Sequence, residues 1–114
     1  MITYNGVNYP VICLCGSTRF KDEFLQVQKI ATLKGYIVLS VGLFGHSGDD
    51  EVWEEDTKQK LDDLHKAKIL LADAVYIINK NGYIGESTKS EIEFAKANNK
   101  LIKYMEGIKE WKSI

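Results

Sequence analysis

Four short apolar runs, at 11–15, 36–40, 74–78 and 101–105, recur along an otherwise mixed chain. They are too short for buried helices and rich in Val, Ile and Tyr. Turn-forming or polar residues bound them, among them Pro10, Gly16, Gly35, Asp73 and Asn79, so they predict strands. The run Val11-Ile12-Cys13-Leu14-Cys15 has no polar position, the pattern of a strand covered on both faces. Between the first two runs Phe20, Phe24, Val27 and Ala31 recur at helical spacing, and Gly35 ends the pattern where a helix-terminating glycine belongs. Residues 51–72 are helical in composition, with Leu61, Leu64 and Leu71 as the apolar stripe and Val52 and Trp53 set among acids. So sparse a stripe predicts a helix that bends or packs on a partner chain. Ile92 and Ala95 mark the buried side of a last helix running to about Asn98. At the amino end, Asn5-Gly6 between Ile2-Thr3-Tyr4 and Val7-Asn8-Tyr9 predicts a two-residue hairpin turn.

The order is a hairpin in 1–10, then β, α, β, α, β, α, β. That order predicts an α/β fold: a small doubly wound sheet, flavodoxin-like or Rossmann-like, of about four parallel strands with right-handed crossovers. Residues 107–114, with Trp111, form a tail for which no element is predicted, and there is no internal repeat.

A length of 114 residues makes this a single domain, 1–114, able to bury about two thirds of its unfolded surface. A 45% hydrophobic and 27% charged composition excludes disordered and fibrous classes. The net charge of −1 argues against a nucleic-acid partner, which needs clustered Lys and Arg, and leaves small ligands open. No apolar run approaches the roughly 20 residues that span a bilayer, and Met1-Ile2-Thr3-Tyr4-Asn5 lacks the pattern of a secretory signal; a cytoplasmic protein with no membrane partner is expected. Cys13 and Cys15 fall on one strand face, too tightly spaced for an unstrained disulfide. Neither histidine is near them in sequence, so they read as inert core residues.

Candidate chemistry collects where a parallel sheet places its ligands, outside the carboxyl ends of the strands. After the first run, Gly16-Ser17-Thr18-Arg19 offers free N–H groups, a hydroxyl and a guanidinium, a set suited to an anion; alternatively, Ser17 or Thr18 caps the helix and Arg19 is solvated. Residues 41–50 read as a loop over the strand tips, in which His46 has no assignable role. After the third run come Gly82 and Gly85, then Glu86, Ser87, Thr88, Glu91 and Glu93. A pocket carboxylate can attack or stabilise the cationic carbon formed when a glycosidic bond breaks. Thr88-Lys89-Ser90-Glu91 also fits a capping box, placing Glu91 in the first turn and bonding it to the N–H of Thr88. On the preceding helix, Asp62 and His65 are an i,i+3 pair that either transfers a proton to a leaving group or lies on a solvated face with Asp63.

With these residues in view, the chain from about Val11 to Glu106 resembles the nucleoside 2-deoxyribosyltransferase-like superfamily, which includes the 2'-deoxynucleoside 5'-monophosphate N-glycosidases. The stretch from Val11 to Ser17 resembles the opening strand and glycine turn, Leu71-Ala72-Asp73-Ala74-Val75 the approach to the central strand, and the stretch from Ser87 to Ala95 the glutamate helix. The resemblance implies that Glu91 is the catalytic glutamate at the anomeric carbon. Four positions depart from the family pattern. Cys13 replaces a tyrosine that orients the glutamate; Gly85 stands where an acid is common, with Glu86 one step away. His65 falls where relatives carry a substrate-binding aspartate, with Asp62 and Asp63 nearby, and Lys89 replaces a glycine.

The expected function is cleavage of an N-glycosidic bond, or (deoxy)ribosyl transfer, on a nucleoside or nucleoside 5'-monophosphate. Glu91 would act at the sugar carbon, with Gly16, Ser17 and Arg19 at a phosphate or ribose oxygen and Asp62 or His65 at the base. Glu86, Ser87 and Thr88 would complete the substrate site. No metal or cofactor is required by this chemistry, and the resemblance implies a homodimer or larger homo-oligomer. The alternatives are a nucleotide-binding or sensing module without turnover, and an NAD-cleaving glycohydrolase.

Overall fold

A computed structural model describes residues 1–44 and 55–107 of the chain. The predicted hairpin is present: Asn5 and Gly6 take positive φ, 52° and 79°, and join β1 (Ile2–Tyr4) to antiparallel β2 (Val7–Tyr9). There follow β3 (Val11–Gly16), a 3-10 turn (Thr18–Phe20), α1 (Lys21–Leu33) and β4 (Ile37–Leu39). After them come α2 (Glu55–Leu71), β5 (Ala74–Ile78), a second 3-10 turn (Lys80–Gly82), α3 (Glu86–Ala97) and β6 (Leu101–Tyr104). Among the described residues no helix is long and apolar enough to cross a membrane.

The four later strands form one parallel sheet in the order β4-β3-β5-β6, the small doubly wound α/β arrangement that the strand runs predict. Alternation along β3 and β5 divides the core in two. Ile12, Leu14, Tyr76 and Ile78 pack with Phe24, Val27 and Ala31 of α1, while Cys13, Cys15, Val75 and Ile77 pack with Ile69 of α2 and Ile92 and Ala95 of α3. Each fully buried aliphatic or aromatic side chain contributes about 1.5–3 kcal/mol, so the central strand pair, covered on both faces, dominates stability.

Chain direction determines where a ligand fits. α1 carries the chain outward from β3 to β4, α2 returns it past β3 to β5, and α3 carries it outward again to β6. The reversal falls between β3 and β5, and their carboxyl ends open a crevice there. The opposite end of the sheet is held by Asp73. Its Oδ1 accepts from the Met1 ammonium at 2.7 Å and its Oδ2 from Val11 N at 2.7 Å. The Met1 hydrogen bond, then the Val11 N–H, keep this carboxyl below the ordinary carboxylate range.

Several elements differ from the sequence-based expectation. α2 turns His65 and Ile69 inward, with Ala72 just past its end, and leaves Leu64 and Leu71 52% and 71% exposed, so two of the three leucines in the predicted stripe do not face the core. The buried line through 65, 69 and 72 has the same helical spacing but a different phase, and a histidine at its head hides it from an aliphatic count. α3 begins at Glu86 with Gly85 at its N-cap, three residues before the start that a Thr88 cap would give. β4 is shorter than its apolar run and lies on the sheet edge. Residues 45–54, with His46, Val52 and Trp53, and the tail 108–114 lie outside the described residues.

Gly16 ends β3 close against β5: a Cβ there would lie 2.6 Å from the backbone oxygen of Ile78. Gly42 has open space around the same position. Gly16→Ala is therefore expected to lower unfolding free energy by about 1–3 kcal/mol, and Gly42→Ala by less than about 0.5 kcal/mol, measured by urea denaturation.

Candidate active site

The crevice is a cleft of about 790 Å³, in the range of small-molecule sites. Three strand exits form it. Gly16 to Arg19 follow β3, Val41 to Leu43 follow β4, and Tyr83 to Glu91 follow β5, while α2 closes the side with Leu61, Asp62 and His65. All nine candidate residues from the sequence, Glu91 among them, therefore border one space.

On the β3 side, Ser17 Oγ accepts from Arg19 N at 3.3 Å and from Arg19 Nε at 3.1 Å. Ser17 thus caps the short 3-10 turn as one of the two readings required, and it also fixes the guanidinium. Arg19 is held a second time by Tyr83, whose ring centroid lies 4.4 Å from Arg19 Cζ. Phe20 braces Tyr83 edge-on, with ring centroids 5.9 Å apart. The cation is thereby presented at the cleft mouth beside the amino end of α3, where first-turn N–H groups lack helical partners. Glu86 is turned outward and pairs with Lys89 at 3.2 Å, leaving Ser87 and Thr88 as the hydroxyls on this side.

Glu91 occupies the second turn of α3, on the inward stripe with Thr88, Ile92 and Ala95. The capping box does not form, because the helix has already begun at Glu86 and Glu91 sits too deep to close its first turn. Glu91 is buried, 9% exposed. Burial raises its pKa from the ordinary 4.5 to about 7; the nearby His65 charge opposes that rise, and Cys13 and Asp62 add to it. A glutamate of this kind exchanges a proton near neutrality, as general acid–base chemistry requires, and is ionised for nucleophilic attack above about pH 7.

His65 is buried, not on a solvated face, while Asp62 one turn earlier is half-buried at the cleft wall. The imidazole Nε2 lies 3.6 Å from Cys13 Sγ and 3.5 Å from Cys15 Sγ. The two thiols are free and buried as expected, but they do not lack a histidine: their strand face looks onto α2, which brings His65, fifty residues from Cys15, against both. Burial alone would lower the His65 pKa, but the hydrogen bond and charge of Cys13, with the charge of Glu91, raise it. Cys13 is lowered to about 6, first by the Cys15 hydrogen bond and against its burial, with His65 and Lys68 assisting. Cys15, holding its proton toward Cys13 and fully buried, is raised well above the ordinary thiol value.

Other cleft features had no separate signal in the sequence. Lys68 donates from Nζ to the Ser40 carbonyl at 2.7 Å, tying α2 to the β4 exit. Tyr83 was legible only as an aromatic in the loop after a buried strand. No family model and no curated protein sequence matches this chain.

A carboxyl pKa raised from 4.5 to about 7 corresponds to about 3 kcal/mol of destabilisation once it ionises. The folded state prefers the neutral carboxyl, so the penalty is absent below about pH 4.5, grows as pH rises, and is complete above about pH 7. Glu91→Gln is expected to stabilise the protein by up to about 3 kcal/mol at pH 8 and not at pH 4, measured by urea denaturation at both values.

Proposed function

We propose that this protein cleaves the N-glycosidic bond of a nucleoside or nucleoside 5'-monophosphate, either hydrolysing it or passing the sugar to a second base. The observation carrying this reading is the buried Glu91 carboxyl, poised near neutral pH in the same cleft as the restrained Ser17–Arg19 pair. A Glu91 oxygen would attack or shield the anomeric carbon as the C–N bond breaks and its electron pair leaves with the base. His65 or Asp62 would deliver a proton to that base, and water or another base would then take the sugar. Arg19, with the N–H groups at the start of α3, would hold a 5'-phosphate or a ribose oxygen. The resemblance of the segments around Gly16, Asp73 and Glu91 to the nucleoside 2-deoxyribosyltransferase-like superfamily supports the same assignment. The exposed Leu64 and Leu71 on α2 support a homo-oligomer.

A specific observation favours the rival, a nucleotide-binding module without turnover. The β3 position that orients the glutamate in the resembling transferases is Cys13, which turns to His65 and does not line the cleft.

Incubation with nucleosides, their monophosphates and NAD, with chromatographic detection of free base, separates these readings. Base release from a nucleoside or monophosphate, reduced about 100-fold or more in Glu91→Gln, is the expected result. The rate should fall as pH drops below about 7, where Glu91 gains its proton. Arg19→Ala should raise KM about tenfold for monophosphates and little for nucleosides. Ligand-dependent thermal stabilisation without base release would establish the binding module, and release of nicotinamide from NAD alone would identify a glycohydrolase of that cofactor.

A further inference from the structure

Beneath the cleft floor, two thiols on one face of β3 converge on a single imidazole nitrogen of α2. Cys13, Cys15 and His65 are all buried, and their ligand atoms lie within 4.8 Å of one another. One ring nitrogen can share one proton at a time, so His65 hydrogen-bonds only one of the two sulfurs, and the Cys15 thiol turns its proton toward Cys13. The thiols' contacts with backbone carbonyls are long: 3.9 Å from Cys13 Sγ to the Leu14 carbonyl and 4.0 Å from Cys15 Sγ to the Cys13 carbonyl.

The two sulfur-to-nitrogen separations match a different chemistry. Tetrahedral zinc sites have Zn–S of about 2.3 Å and Zn–N of about 2.0–2.1 Å, which places sulfur and nitrogen ligands about 3.5 Å apart. The protein already holds its two S···N pairs at 3.5 and 3.6 Å. We propose that Cys13, Cys15 and His65 form a binding site for a thiophilic d10 cation, Zn²⁺ in the first instance. Three protein ligands leave one position for water or another exogenous ligand, the arrangement of an open zinc site. On binding, both thiols release their protons to solvent and the imidazole binds as the neutral base. Two thiolates then balance the divalent charge, so the complex carries no net charge into the buried floor. The site does not depend on the glycosidic reading, and a cleft without turnover would bind the cation equally; with the cation bound, His65 is a ligand and Asp62 is left to deliver the proton in that reading.

The test uses the full chain, reduced and stripped of metal by a chelator, without nucleotide. Titration with Co²⁺ is expected to give sulfur-to-cobalt charge-transfer absorption and intense tetrahedral d–d bands that saturate at one equivalent and bleach on adding Zn²⁺. Cys13→Ser/Cys15→Ser should abolish the charge-transfer band, and His65→Gln should weaken binding by more than about 100-fold. X-ray absorption on the zinc-loaded wild-type chain avoids dependence on how the variants fold. Two sulfurs at about 2.3 Å with nitrogen or oxygen at about 2.0 Å uphold the site. A shell of oxygen and nitrogen alone, a six-coordinate cobalt spectrum, or no saturable binding overturns it.

Discussion

The parallel pairing of β3 with β5 is the constraint on which the remaining structure depends. Five residue pairs, from Ile12 opposite Ala74 to Gly16 opposite Ile78, fix this register. It buries both strands on two faces, and it is also where the winding of the chain reverses. At one end Asp73 clamps the start of β3 to that of β5, with Val11 N donating to its carboxylate and Asp73 N to the Val11 carbonyl. At the other, Gly16 leaves no room for a Cβ against Ile78, and the loops then separate around the crevice. Cleft and core are thus two results of one register.

Placing a carboxyl on the inward stripe of α3 has a cost that packing alone does not offset, and the neighbourhood shows how it is borne. Glu91, His65, Cys13 and Cys15 form a run of titratable groups leading from the cleft down onto the sheet, each shifting the next. The raised Glu91 and His65 and the lowered Cys13 are parts of one electrostatic arrangement. Substituting one of the four is expected to shift the proton affinity of its neighbours, a coupling that double-mutant comparison measures.

The strands were legible because a parallel sheet needs unbroken apolar runs, and Val11 to Cys15 and Ala74 to Ile78 have no other economical use. The hairpin was legible because Asn-Gly suits positive φ at both turn positions. The phase of α2 was not, since Leu64 and Leu71 look like core residues while the inward line starts from a histidine. For α3 the Thr88-to-Glu91 spacing imitated a cap, but the helix starts earlier, at Glu86 after Gly85. Glu91 stood out through chemistry and position, but its burial followed only from the correct helix start. The meeting of His65 with Cys13 and Cys15 is purely tertiary, and sequence distance argued against it.

Arg19 carries a consequence of its own. An arginine side chain has about 2 kcal/mol of rotamer entropy to lose when it grips a ligand. Here the Ser17 hydroxyl and the Tyr83 ring hold the guanidinium in place already, so much of that ordering belongs to folding and not to binding. Selectivity at the cleft mouth then reflects the charge and shape of the incoming group, with little levy for rearranging the protein. A lysine in the same place, lacking a planar head to lie on the ring, would keep the charge and forfeit the rigidity.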